Sequence, residues 1–126
     1  LVAWKSTKQP QVPRSTAESE CTAMAYAAQI LEGVQCLFID MRVETGTPAL
    51  YCDNRAAVHL SSGSSEWRAK ALVNRILGVK SLIELGQLIV LFKPTLDMEA
   101  DLLTQFMGNK LLSKQRKLLG CVPPSP

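Results

Sequence analysis

From Ser15 to Phe38 the chain runs without a proline, and without a glycine before Gly33. Ser15 and Glu18 stand at the spacing of a capping box, in which hydroxyl and carboxylate satisfy the orphan amides of a first helical turn. Behind them Met24, Ala28, Leu31, Val34 and Phe38 recur at helical spacing, which makes one stripe of this helix apolar. A helix of this length with one apolar stripe must lie against another element, and that element decides the fold. Gly33 is expected to kink the helix or divide it in two.

The remainder of the chain supplies the other layers. Leu1 to Ser6 reads as the end of a strand, and Lys8 to Arg14, with Pro10 and Pro13, as an extended connection. Glu44 to Pro48 is a turn, Ala49 to Cys52 a short apolar strand, and Asp53-Asn54 a second turn signal. Arg55 to Leu60 is a short helix stopped by the serine cluster at Ser61 to Ser65. Glu66 to Leu85 is a second long amphipathic helix with Leu72, Ile76, Val79 and Ile83 on one face, closed by Gly86 as a C-cap residue. Gln87 to Phe92 reads as a buried strand and Pro94 breaks it. Thr95 or Asp97 caps a last helix running to about Leu119, with an interruption foreseen at Gly108, and Cys121 to Pro126 is a proline-rich tail. Strands that alternate with helices in this way indicate an α/β architecture with parallel pairing.

At 126 residues the chain fits one domain, spanning 1–120 before the tail at 121–126, and its 47% hydrophobic and 20% charged residues exclude a disordered segment. The apolar run Leu88 to Phe92 is far short of the roughly 20 residues of a membrane span, so no transmembrane segment is expected. No apolar signal region opens the chain, so secretion is not expected either. Cys21, Cys36, Cys52 and Cys121 form no CxxC pair and His59 is the only histidine, so a zinc site is not expected. Buried free thiols fit an intracellular, reducing compartment. The net charge is +3, and after Asp101 only bases remain, Lys110, Lys114, Arg116 and Lys117. They suit either a solvated helix end that complements the macrodipole or a phosphate-contacting surface.

Three acids stand in unusual places. Glu20 lies four residues before Met24 and so shares the start of the apolar stripe. Asp53 closes an apolar strand, at the sheet edge where α/β proteins hold ligands. Asp101 falls in the first turns of the expected last helix. Singly, each has an ordinary reading as a boundary acid, a turn residue or a helix-start acid. Together they can converge, and converging carboxylates without histidine suit Mg²⁺. Two such ions support phosphodiester hydrolysis.

The segments WKSTKQPQVPRSTAESE (Trp4 to Glu20), LYCDNRAAV (Leu50 to Val58) and FKPTLDMEADLLTQ (Phe92 to Gln105) closely resemble the ribonuclease H domain of copia-type LTR retrotransposon Pol polyproteins. The resemblance covers Leu1 to about Gly120 and keeps the family's order of motifs. It implies an RNase H-like three-layer α/β fold, a mixed sheet flanked by helices, and cleavage of the RNA strand of RNA–DNA hybrids with two Mg²⁺ ions. By the same resemblance Glu20, Asp53 and Asp101 are the catalytic metal ligands, Asp53 bridging both ions. Asn54, Lys5, Lys8 and Arg14 would contact the nucleic acid.

The match begins at the family's third strand. The first two strands and a leading Asp fall upstream of Leu1, and Lys70-Ala71 stands where the family carries a Lys-His pair. The resemblance thus implies an impaired or inactive nuclease in this truncated form. Its partner would be the hybrid, or an upstream segment or protein that supplies the missing strands. A catalytically dead, domesticated remnant acting as a structural or interaction subunit remains open, as does nucleic-acid binding without catalysis.

Overall fold

The computed structural model describes residues 5–9, 12–13, 15–62, 70–104 and 106–121. The chain divides into two compact units, one of Gln11–Phe92 and one combining Leu1–Pro10 with Lys93–Pro126. The larger unit is mixed α/β. Its elements are α1 (Thr16–Asp40), β1 (Ala49–Cys52), α2 (Arg55–Ser61), α3 (Lys70–Glu84) and β2 (Ile89–Phe92).

Helix α1 starts where the capping signal places it. Ser15 is extended, and its hydroxyl accepts the Glu18 N–H at 3.2 Å. The helix continues through Gly33 for 25 residues, so the expected division does not occur. Its N-terminal half carries the buried positions Cys21, Met24 and Ala28, whereas Leu31, Val34 and Phe38 are only half-buried. Ile30, Leu37 and Ile39 are exposed on the distal half. Among the described residues α1 is also the one helix long and apolar enough to cross a membrane by length and composition. The apolar run considered in the sequence missed this, because α1 reaches that hydropathy with interspersed polar residues.

Each helix end has a physical cause. Gly86, at φ +69°, closes α3, with its N–H on Ile83 O and the Gln87 N–H on Leu82 O at 2.8 Å. This paired reversal satisfies two of the last carbonyls and needs a residue in the left-handed region, where glycine has no Cβ penalty. The same pair of bonds closes α1, from Arg42 to Ile39 and from Val43 to Phe38, but there the left-handed position is Arg42 at φ +56°. Serines stop α2 as expected, Ser61 and Ser62 turning their hydroxyls onto Val58 O and His59 O. The expected start of α3 at Glu66 lies outside the described residues, as does the Leu72 side chain.

Among the described residues the sheet has two parallel strands, with Leu50 opposite Val90 and Cys52 opposite Phe92. Alternation divides their side chains between two faces. Leu50, Cys52 and Val90 join Cys21, Met24, Ala28, Ala57, Ile76, Val79 and Leu88 in the core. Tyr51, Ile89 and Leu91 remain 48%, 46% and 42% exposed on the other face. The expectation of a buried second strand is corrected here, since helices cover one face of β2 and no described element of this unit covers the other. Phe92 at the strand end is shielded by the Arg55 guanidinium, 4.5 Å from the ring centroid. The strand foreseen at Leu1 to Ser6 lies largely outside the described residues, and Lys5 and Ser6 are irregular.

The smaller unit is mostly short turns. Thr95–Asp97 and Glu99–Leu103 are 3-10 segments separated by Met98, which takes extended angles and is buried. That break prevents the long last helix expected from Thr95 or Asp97. Helix α4 instead spans Asn109–Leu118, with Gly108 as its N-cap residue. Lys93 pairs with Glu99 and Lys114 with Asp97, and each lysine holds its carboxyl partner below the usual carboxylate range. Gln115 is fully buried and donates to Leu96 O at 3.4 Å.

Candidate metal site

Glu20 sits in the second turn of α1, Cys52 is the last residue of β1, and Asp53 follows at the bend into α2. One ligand atom from each lies within 4.8 Å of the others. Consecutive residues of a strand point to opposite faces. The chain leaves the strand at Asp53, and this break in alternation lets neighbouring side chains reach one spot. The spot lies at the C-terminal end of a parallel strand, as the sequence places it.

The thiol organises the cluster. Cys52 is 3% exposed and its Sγ donates toward Glu20 Oε2 across 3.9 Å. The Asn54 backbone N–H donates to the same sulfur at 3.4 Å. Burial is the main cause that pushes the Cys52 thiol up to about 11, the Asn54 hydrogen bond opposes it, and the charges of Glu20 and Asp53 add to it. Cys21 is pushed up in the same way, first by burial and then by Glu20 and Glu18. Both sulfurs are protonated at neutral pH and both are inert as nucleophiles there.

The structure brings together two of the three carboxylates read from the sequence, Glu20 and Asp53, both half-buried. Asp101 belongs to the other compact unit, where it is half-buried in the 3-10 segment Glu99–Leu103 and not on an α-helix. Lys5 and Lys8 are exposed residues of that same unit, and Arg14 lies outside the described residues. Asn54 caps α2, its Oδ1 accepting the Ala57 N–H at 3.1 Å. His59 is exposed in the last turn of α2, in keeping with an ordinary surface histidine. Cys52 is the residue that sequence reasoning missed. Metal-ligand spacing rules search for CxxC and histidine pairs, and its only signal was its place beside Asp53.

Two half-buried carboxylates brought together fit a hard divalent cation such as Mg²⁺, which binds oxygen. The protonated sulfur adds nothing to such a site beyond holding Glu20 in place. Comparisons with protein-family models, curated proteins and solved structures returned no match to this chain.

Proposed function

We propose that this chain is an RNase H-like domain of copia-type descent in which Glu20 and Asp53 hold a divalent cation for hydrolysis of the RNA strand of an RNA–DNA hybrid. The observation that carries this reading is the convergence of Glu20 and Asp53, two acids 33 positions apart that the motif resemblance pairs as ligands. The parallel pairing of β1 with β2, connected through α2 and α3, gives it further support.

Bound Mg²⁺ would supply an activated water and charge stabilisation at the phosphate. The residues of the chain position that chemistry. Glu20 is fixed by the start of α1 and by the Cys52 thiol, and Asp53 by the bend between β1 and α2. Two carboxylates neutralise only half the charge of a two-ion centre. Turnover by these residues alone should therefore be slow. The resemblance assigns Asp101 as a further ligand and Lys5, Lys8, Arg14 and Asn54 to the nucleic acid.

The test is cleavage of a labelled RNA–DNA hybrid by the purified chain in Mg²⁺ or Mn²⁺. Metal-dependent cleavage that Asp53→Asn abolishes supports the reading, and a separate Asp101→Asn arm reports whether that residue takes part. No cleavage in either metal rejects it for this chain. A second reading is a domesticated remnant that serves as an interaction subunit, and the open face of Tyr51, Ile89 and Leu91 favours it. It expects a co-purifying protein and tolerance of Glu20→Gln and Asp101→Asn, and a monodisperse folded monomer would count against it.

A further inference from the structure

The Glu20–Cys52–Asp53 cluster has a donor that a magnesium site does not need. In a tetrahedral zinc site, bonds of about 2.3 Å to sulfur and about 2.0 Å to oxygen place the two ligand atoms about 3.5 Å apart. Cys52 Sγ and Glu20 Oε2 stand 3.9 Å apart, and all three ligand atoms fall within 4.8 Å. Zinc binding therefore requires the three side chains to draw together. Independently of the carboxylates, the sulfur is buried and accepts the Asn54 N–H at 3.4 Å, a donor suited to a thiolate, while its own S–H faces the Asn54 carbonyl oxygen at 3.7 Å as well as Glu20.

We infer that Glu20, Cys52 and Asp53 form a site for a thiophilic divalent cation of the zinc class, with the Cys52 sulfur as an inner ligand between two carboxylates. Binding replaces the thiol proton with the cation. The S–H bond breaks, its electron pair stays on sulfur and bonds the metal, and the proton leaves to solvent. Three protein ligands leave the fourth position to water. Mg²⁺ does not take thiolate, so the same cluster sorts cations by softness. Zn²⁺ engages all three side chains, Mg²⁺ engages the two carboxylates, and each excludes the other. This site does not depend on hybrid cleavage.

The experiment uses the full chain with Cys36→Ser and Cys121→Ser, because those exposed thiols would bind soft ions on their own. Cd²⁺ is the probe and Zn²⁺ the competitor. Cd²⁺ should produce thiolate-to-cadmium charge-transfer absorption that saturates at one ion per chain, Zn²⁺ should displace it, and Mg²⁺ should give no band. Cys52→Ala should abolish the band. Glu20→Gln should keep the band but weaken Cd²⁺ at least about tenfold. No band, a band that survives Cys52→Ala, or unchanged affinity in Glu20→Gln would each overturn the inference. Far-ultraviolet circular dichroism checks folding, and if Cys52→Ala does not fold, the Glu20→Gln affinity decides alone. A failed nuclease assay leaves the cadmium band untouched, and a missing band leaves magnesium-dependent cleavage untouched.

Discussion

The Cys52 thiol donates toward the Glu20 carboxylate across 3.9 Å, linking the last residue of β1 to the second turn of α1. The contact joins the small apolar core to a charged group, since Cys52 belongs to the core cluster and Glu20 is half-buried. One side chain thus serves both packing and the placement of a charged group. Stability and site geometry are coupled at this residue.

That coupling has a pH signature. The folded state holds the Cys52 proton up to about pH 11, against an ordinary thiol value of 9.0. Above the unfolded value the unfolded chain loses a proton that the native chain keeps, so stability falls as pH rises. Urea titrations should show full stability below pH 9 and a progressive loss between 9 and about 11. After solvent screening the loss from this group should be roughly 1–2 kcal/mol. Cys52→Ala should flatten that part of the profile, leaving the shallower contribution of Cys21, which is raised in the same direction. An unchanged alkaline limb in Cys52→Ala would show that the thiol is not the titrating group.

The elements legible in the sequence are those with local causes. Ser15 announces α1, Pro48 and Asp53 bracket β1, Asn54 and the serines bracket α2, and Gly86 ends α3. The rest depends on partners that are distant in the chain. The apolar run at β2 resembles a fully covered strand, but in a two-stranded sheet helices cover only one side, so Ile89 and Leu91 stay exposed. Asp97, Glu99 and Asp101 read as first-turn acids of one helix until Met98 turns extended and breaks the ladder. The pairing of Glu20 with Asp53 could be anticipated from their motifs. The inclusion of Cys52 could not, because that residue reads as an apolar core position of the strand and nothing local shows its sulfur reaching Glu20 on α1.

Helix α3 offers a direct test of the core. Ile76 is fully buried in the main cluster, while its neighbour Leu77 is half exposed. Ile76→Ala removes transfer free energy and leaves a cavity, which should cost about 2–4 kcal/mol. Leu77→Ala should cost less than about 1 kcal/mol. Chemical denaturation of the two variants checks the orientation of the helix, and equal losses would mean that α3 presents a different face.

Arg42 occupies a position that favours glycine. At φ +56° it closes α1 with the same pair of reversal bonds that Gly86 makes after α3. A Cβ in the left-handed region costs roughly 1–2 kcal/mol, and glycine returns part of that gain through unfolded-state entropy. Arg42→Gly should therefore stabilise the chain by about 0.5–1 kcal/mol. Gly86→Ala should destabilise it by about 1 kcal/mol through backbone angle alone, because nothing within 4 Å would meet the added Cβ. Thermal or urea midpoints moving in opposite directions for these two variants would confirm that the left-handed caps, not side-chain contacts, set both helix ends.

Asn54 allows its two assigned roles to be separated. Its Oδ1 caps α2 through the Ala57 N–H, and the motif resemblance implies a contact with the nucleic-acid backbone. Asn54→Ala removes the cap and should cost about 1 kcal/mol of stability. Asn54→Asp preserves the cap, since Asp and Asn rank alike there, so stability at neutral pH should hold within about 0.5 kcal/mol. The new negative charge beside Asp53 would repel a phosphate backbone, so hybrid binding should weaken if Asn54 faces the nucleic acid. Denaturation read beside salt-dependent hybrid binding separates the effects. Stable Asn54→Asp with unaltered binding would leave Asn54 with the capping role alone, whereas stable Asn54→Asp with weakened binding would place the hybrid against the turn between β1 and α2.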